Sequence, residues 1–580
     1  MMRLSIGTMA ALATALALYL AWFITPLGDG PDETGHYSYV HIIAEGDLLP
    51  LMEQSYMVSG LWGDDHAALQ PAERRNYIVQ HPPLYYWVAA APHALADALG
   101  ASTQVLYRIP RAVSAISFGA LLLVMFSTLR NAGVNPVRAL PITAGLAFLP
   151  MLMQLSTTTT NDVFLFLLCA LATRSLVRFV MQKSLTDAYL CAFWLTLAGG
   201  TKMTGWVFIA PAVAILLYEL RAPIKAWLMH AVGITSVALT LPIAWMLRNW
   251  VHFGTPFYRE GYAELSRPAL DPQTTSFLSM VADQPVMNWL FAHFHGLFGF
   301  SGYCQTPELR HLCSGAEMTQ LFGFARNAFT VAVALVVLGY VVYLLRRTWQ
   351  DARQSPVIPR AALLGVPLAI GLWAGVTLLF TSFIDFSSHY EISQLLLRLD
   401  RWGGELAMLG VALLAGGWAW TRWGPRRAVP PLPGLAVAVL VGIAAGWLIH
   451  RIFSGQTLGD VQILIMSLLP PVGLLAGALV LLQKDGQSRL ALYGPLVLLF
   501  FGSVLLYQIY QGYILAGVPR GVQGRYLYPV LPLVLVALGL ALERLRVHAT
   551  VCLAVLVLLG LGFADAFIER VLPFYLEVRL

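Results

Sequence analysis

Runs of about 20 apolar residues recur along nearly the whole chain, and each is long enough for one α-helix to cross a hydrocarbon core about 30 Å thick. That recurrence dictates helices rather than barrel strands as the spanning unit. It also excludes a soluble fold: of 580 residues only 11% are charged and 58% are hydrophobic, whereas a soluble domain is roughly a quarter charged. The net charge of +6 does not point to nucleic acid, because the basic residues sit in short loops between apolar runs and not in one stripe. Cys169, Cys191 and Cys552 fall inside apolar runs, where cysteine acts as a small hydrophobe, and no metal-binding spacing is present.

Loop charges set the topology. Leu4 to Ile24 follows the single cation Arg3 and is too long for a signal-peptide core, so it reads as an uncleaved first span. The polar stretch over residues 26–107 then forms an extracytoplasmic loop with interfacial helices. Pro82 to Gly100 is apolar but holds Pro92, His93 and Asp97. If it does not cross, the basic loops at Arg130 and Arg138, Arg178 and Lys183, Arg221 and Lys225, and Arg346 to Arg360 all become cytoplasmic. Arg422 to Arg427, Lys484 with Arg489, and Arg544 with Arg546 then fall on that side too, as the positive-inside rule requires. The expected fold is an all-α polytopic bundle of about 15 transmembrane helices forming one domain over 1–580, with a second long outer loop at 250–325. Later spans are expected near Arg111, Arg138, Asn161, Thr186, Met203, Ala226, Arg326, Ala361, Gly404, Pro431, Val461, Leu490, Tyr528 and Ala549.

This topology strands several cations on the outer face: Lys202, Arg248, Arg259, Arg398, Arg401, Arg451, Arg520 and Arg525. Arg259, with Arg267 and Arg310, reads equally well as solvated loop charge. Lys202 and Arg525 lie at membrane boundaries between apolar stretches and lack a sequence-local acid, so desolvating them calls for an anion, and a phosphate is the natural one. Their acidic counterpart is Pro31-Asp32-Glu33-Thr34-Gly35-His36 directly after the first span, where the acids alone would read as a helix cap. By the same plain reading Arg111 snorkels to the interface, Tyr85, Tyr86 and Trp87 form an aromatic belt, and Asn161 and Asp162 cap the helix they open with help from Thr160. Cys304 and Cys313 fall in the second outer loop, where an oxidising compartment would permit a disulfide that nothing requires.

The order of motifs changes the balance. Pro31-Asp32-Glu33 with His36 is followed by Glu45-Gly46-Asp47-Leu48-Leu49-Pro50, Gln80-His81-Pro82-Pro83-Leu84-Tyr85-Tyr86-Trp87 and Tyr107-Arg108-Ile109-Pro110-Arg111. This series resembles the first outer loop of GT-C glycosyltransferases that use polyprenyl-phosphate sugars, notably the protein O-mannosyltransferase and lipid A aminoarabinose transferase group. Thr160-Asn161-Asp162, Thr201-Lys202-Met203-Thr204-Gly205 and Arg248-Asn249-Trp250 extend the likeness. With Gly524-Arg525-Tyr526, the pattern is similar also to an uncharacterised bacterial family associated with surface polysaccharide. The resemblance implies a GT-C-like bundle in the bacterial inner membrane, with its active site on the extracytoplasmic side. It implies a lipid-linked sugar donor and a lipid, glycan or protein acceptor, with Asp32 as general base and Glu33 in support. Lys202, Arg525 and Arg248 would hold phosphate, and His36, His81 and Asp162 would complete the substrate site.

Two positions depart from the aminoarabinose transferase pattern: His81 stands in place of a Lys and Gly35 in place of an Arg. His36 and His81 can substitute only as protonated groups or as neutral hydrogen-bond donors. Some relatives use a divalent metal; Asp32, Glu33, His36 and Asp162 are the available ligands but lack a diagnostic spacing, and no other cofactor is implied. Two other classes remain open at this point: a flippase or transporter of lipid-linked glycan, which should carry ionisable groups deep in several spans, and an inactive assembly subunit of a surface-polysaccharide system.

Overall fold

A computed structural model describes residues 2–58, 75–256 apart from 221, six single positions between 270 and 294, and 485–575 apart from 518, 520, 569–571 and 574. The expected spans near Arg326, Ala361, Gly404, Pro431 and Val461 lie outside these residues. So do Arg221, Arg259, Arg267, Arg310, Arg346 to Arg360, Arg398, Arg401, Arg422 to Arg427, Arg451, Lys484, Arg520, Cys304 and Cys313.

The described chain is a helical membrane bundle. Among the described residues six helices are long and apolar enough to cross a membrane, or seven if one bent pair counts as a span. They are Ile6–Ile24, Thr103–Asn131, Asp162–Gln182, Ile224–Phe253, Gly486–Ala516 and Gly524–Arg544, with the shorter apolar helices Leu185–Gly199, Thr204–Glu219 and Ala549–Leu561 between and after them. Each lies where an apolar run placed it. Local chemistry fixes the ends: Asn135 accepts from Val137 N at 3.0 Å with Pro136 in the first helical turn, Asp485 accepts from Ser488 N at 2.8 Å, and Gly254 stops its helix at φ 69°.

The span expected to start at Arg138 is broken. Pro136–Phe148 and Pro150–Ser156 meet at 68°, because the residue before a proline is driven out of the helical region and Leu149 is extended at φ −84°, ψ 110°. Pro82 to Gly100 contains the helix Leu84–Ala98, whose 15 residues reach about 22 Å, short of a bilayer crossing. Its neighbour in the first loop is the helix Glu33–Ala44, and the two bury Tyr39, Val40, Ile43, Tyr85, Tyr86 and Ala89 between them and the adjoining Met52, Ile78 and Val79.

The Asp162–Gln182 helix is the most enclosed of the spans and packs on Thr103–Asn131 and Leu185–Gly199. Its ends define the two mouths of the bundle, 21 residues or about 31 Å apart. One mouth gathers Lys183, Glu219, Arg489, Arg138 and Glu543; the other gathers Glu33, Arg111, Asp162, Lys202 and Arg525. Cys169 and Cys191 are buried free thiols, as their apolar surroundings suggested.

Candidate active site

The first span ends in a π-turn, Leu20–Ile24, and the chain then loops to the surface helix that begins at Glu33. This exit is fastened by Arg111, which does not snorkel: its side chain and that of Glu33 are both 0% exposed. All five guanidinium N–H groups find acceptors. Nε and Nη2 clasp Glu33 at 2.7 and 2.8 Å, and the rest reach the carbonyls of Ala21, Thr25 and Pro26 at 2.7 to 3.0 Å. Glu33 also accepts backbone N–H groups from Thr159, Gly28 and Gly30 at 2.8, 3.0 and 3.3 Å. Gly30 is required here, since a Cβ on it would lie 2.6 Å from that of Thr158. Both carboxylate oxygens of Glu33 are thus committed to holding the loop.

Asp32 is different. It occupies the N-cap position of the surface helix yet makes no capping bond, it is exposed, and it adopts the left-handed region at φ 57°, ψ 22°. Non-glycine residues enter that region at an energetic cost and concentrate at functional sites. The Asp32 carboxylate instead accepts a hydrogen bond from the Tyr77 hydroxyl at 2.5 Å.

One turn further on, His36 is buried and its Nδ1 lies 2.7 Å from the Tyr86 hydroxyl. Asn161 Nδ2 also reaches Tyr86 Oη at 3.1 Å and faces the Thr201 carbonyl at 3.5 Å, which can only accept. Tyr86 accepts a hydrogen bond from Asn161 and shares another with His36 Nδ1, whose direction follows the histidine tautomer. Burial, reinforced by Lys202, holds His36 well below the usual histidine range. His36 is accordingly a neutral hydrogen-bond donor at neutral pH.

Asp162 opens the central span and is buried with Lys202 Nζ at 2.5 Å and Arg525 Nε at 3.3 Å. The two cations that lack a sequence-local acid share this one; the pairing joins positions 40 and 363 residues apart, beyond any local spacing. One carboxylate against two cations leaves a unit of positive charge. The Tyr526 ring lies 5.3 Å from the Lys202 ammonium and 5.6 Å from the Arg525 guanidinium. Thr160 does assist the helix start, its Oγ1 accepting from Asp162 N at 3.3 Å, but neither Asn161 nor Asp162 turns its side chain to capping.

Arg248 stands apart from this cluster. It donates to the Pro50 carbonyl at 2.6 Å and stacks over Trp245 at 4.5 Å, fastening the first loop to the Ile224–Phe253 helix. His81 lies within electrostatic range of His36, and its carbonyl accepts from Tyr39 at 3.2 Å. Tyr85 and Tyr86 are fully buried, so of the expected aromatic belt only Trp87 faces outward. Helical periodicity carried that signal: Tyr86, Ala89, Ala90 and His93 share the buried face. Asp32, Glu33, His36 and Asp162 do not converge as a ligand set, because Glu33 and Asp162 are already claimed by cations. Among the described residues no group of three His, Cys, Asp or Glu is arranged to hold a metal ion.

The fold and this end of it define a polytopic membrane protein with an exposed acid set beside a buried, net-positive cluster. Residues 80–245 match the family described as dolichyl-phosphate-mannose-protein mannosyltransferase, and this supports the likeness to GT-C glycosyltransferases over that segment. The solved S. cerevisiae protein O-mannosyltransferase Pmt1-Pmt2 complex bound to the sugar donor aligns at 16% identity and a TM-score of 0.31, covering 47% of this chain and 36% of that chain. The alignment therefore spans little more than a third of that protein's length, and a likeness so shallow says nothing about the site. No curated protein matches the sequence.

Proposed function

We propose that the chain is a GT-C-type membrane glycosyltransferase that moves one hexosyl or pentosyl unit from a polyprenyl-phosphate carrier to a cell-envelope acceptor at the extracytoplasmic face. The observation that carries this reading is the placing of Asp32, exposed and at positive φ, at the same end of the bundle as the buried Asp162–Lys202–Arg525 cluster, with Tyr86 within electrostatic range of both Asp32 and Asp162 and neutral His36 within range of the cluster.

Breaking the bond between an anomeric carbon and a phosphate oxygen develops positive charge on the sugar and negative charge on the departing phosphate. Asp32 takes the proton of the acceptor hydroxyl as its oxygen bonds to the anomeric carbon. The C–O bond electrons leave with the phosphate, which the surplus cation of the cluster stabilises. Asp162 serves by holding Lys202 and Arg525 in place before the lipid arrives. One helical turn deeper, Phe166 and Tyr528 meet edge-on at 5.0 Å beside a small apolar crevice lined by Leu121, Met125, Leu146, Leu152, Leu531 and Leu535.

The decisive test is Asp32→Asn in lipid nanodiscs with lipid-linked sugars extracted from the source membranes. Removing a general base costs a factor of about 100 to 10,000, so donor binding should persist while transfer nearly stops. Transfer at close to the wild-type rate would overturn the assignment.

A further inference from the structure

We infer that Tyr77 is a positioning residue for the reaction, acting through Asp32 by fixing which carboxylate oxygen faces the acceptor; this rests on the reading of Asp32 as base. The Tyr77 hydroxyl donates to Asp32 Oδ1 at 2.5 Å, which leaves Oδ2 as the oxygen free to take a proton. A carboxylate on an exposed residue would otherwise rotate, and a donor on one oxygen fixes its orientation.

The chain has built a support for this one phenol. Asn76 is completely buried and bonds in two directions: Oδ1 accepts from Ile78 N at 3.1 Å, shaping the turn Tyr77–Gln80, and Nδ2 donates to the Gly35 carbonyl at 2.9 Å. Asn76 N in turn donates to Ser55 O at 2.9 Å. The turn is therefore pinned on the surface helix three residues beyond Asp32. That contact exists only because position 35 is glycine: a Cβ there would sit 2.6 Å from Ile78 Cγ1 and 3.1 Å from Asn76 Oδ1. Gly35 thus gives up any side chain of its own so that the neighbouring turn can bring a hydroxyl to Asp32.

The test follows release of free polyprenyl phosphate from the source-membrane lipid-linked sugars by the nanodisc-embedded protein. Tyr77→Phe keeps the ring and removes the donor. We expect kcat to fall about tenfold or more, on the scale of a charged hydrogen bond, with donor KM within about twofold of wild type. A 3-fluorotyrosine at position 77, which still donates, should restore kcat, and it keeps the test valid if Tyr77→Phe proves poorly folded. A merely structural ring contact would survive Tyr77→Phe and leave kcat unchanged, and a general loss of folding would not confine itself to kcat. If Asp32→Asn is inactive while Tyr77→Phe keeps the wild-type kcat, the role of Tyr77 is overturned and the base assignment stands. If Asp32→Asn is as active as wild type, the underlying reading fails first.

Discussion

Glu33 and Asp32 are adjacent acids, and the structure gives them opposite tasks that unfolding experiments can separate. Arg111→Met keeps most of the side-chain volume but leaves Glu33 buried without its cation and strips the carbonyls of Ala21, Thr25 and Pro26 of their donors. Removing one partner of a buried ion pair costs about 3 to 5 kcal/mol, a large share of the roughly 5 to 15 kcal/mol that holds a domain folded. Glu33→Gln should cost a comparable amount, because its five incoming donors were arranged for a carboxylate. The assay is the unfolding midpoint in detergent, read by tryptophan fluorescence and by protease resistance. Replacing the pair together by apolar residues should recover part of the loss, since no charge is then left unpaired. A catalytic Glu33 would behave otherwise: Glu33→Gln would be as stable as wild type and inactive. Wild-type stability in both single variants would refute the argument.

The remaining expectations concern the anion cluster and the loop beneath it. Lys202→Met or Arg525→Met should weaken donor binding by about 1.5 to 3 kcal/mol, the scale of a charged hydrogen bond, because each removes the surplus charge and leaves Asp162 with a single cation. Equal donor affinity in both variants, measured with radiolabelled lipid-linked sugar, would exclude a phosphate role. Burial pushes the Asp29 carboxyl up to about 6, partly offset by hydrogen bonds from Tyr575 at 2.5 Å and Gln154 at 3.2 Å. A raised acid lends stability at low pH that is lost as pH rises through 6, so the protein should be more stable at pH 5 than at pH 7.5 by on the order of 1 kcal/mol from this group. Asp29→Asn should flatten that dependence in a thermal-shift series, and an unchanged slope would show that the group does not titrate there.

The positions of the helices were legible because membrane spans announce themselves by length and polarity; most described helices begin within about four residues of the expected start, but the span expected near Arg111 begins two turns earlier at Thr103, because its first turns, with Arg108 and Arg111, are too polar to show as an apolar run. The break after Phe148 was legible too, in Pro150, but length alone reads such a pair as one span. The site was legible only in its parts. Asp32, Asp162, Lys202 and Arg525 stand out as polar residues at boundaries, yet no spacing discloses that Glu33 meets Arg111 across 78 positions or that Asp162 collects one cation from the turn before Thr204–Glu219 and another from the 3-10 turn Gly524–Val530. Tyr77, Tyr86 and Asn161 were invisible as site residues for the same reason: an aromatic or an amide in a polar loop has many ordinary uses, and only packing reveals which hydroxyl faces which acid.

Charge composition by itself does not locate chemistry in this bundle, as its two mouths demonstrate. Glu219 gathers Lys183 and Arg489 much as Asp162 gathers Lys202 and Arg525, one buried carboxylate against two cations in each case. Around Glu219 everything further is fastening. Tyr493 donates to it at 2.6 Å, Arg138 reaches Glu543 at 2.7 Å, Gln487 donates to the Ala132 carbonyl at 3.2 Å, and Arg544 reaches Gln487 at 3.0 Å. These bonds tie the carboxyl-terminal helices to the earlier ones. Around Asp162 the neighbours are groups that fastening does not need: a histidine kept neutral and an aromatic ring over both cations. An ion triad that only joined helices would gain nothing from a neutral histidine and an aromatic ring held against its cations, and on the function proposed above that net-positive end is where the phosphate of a lipid-linked sugar would bind.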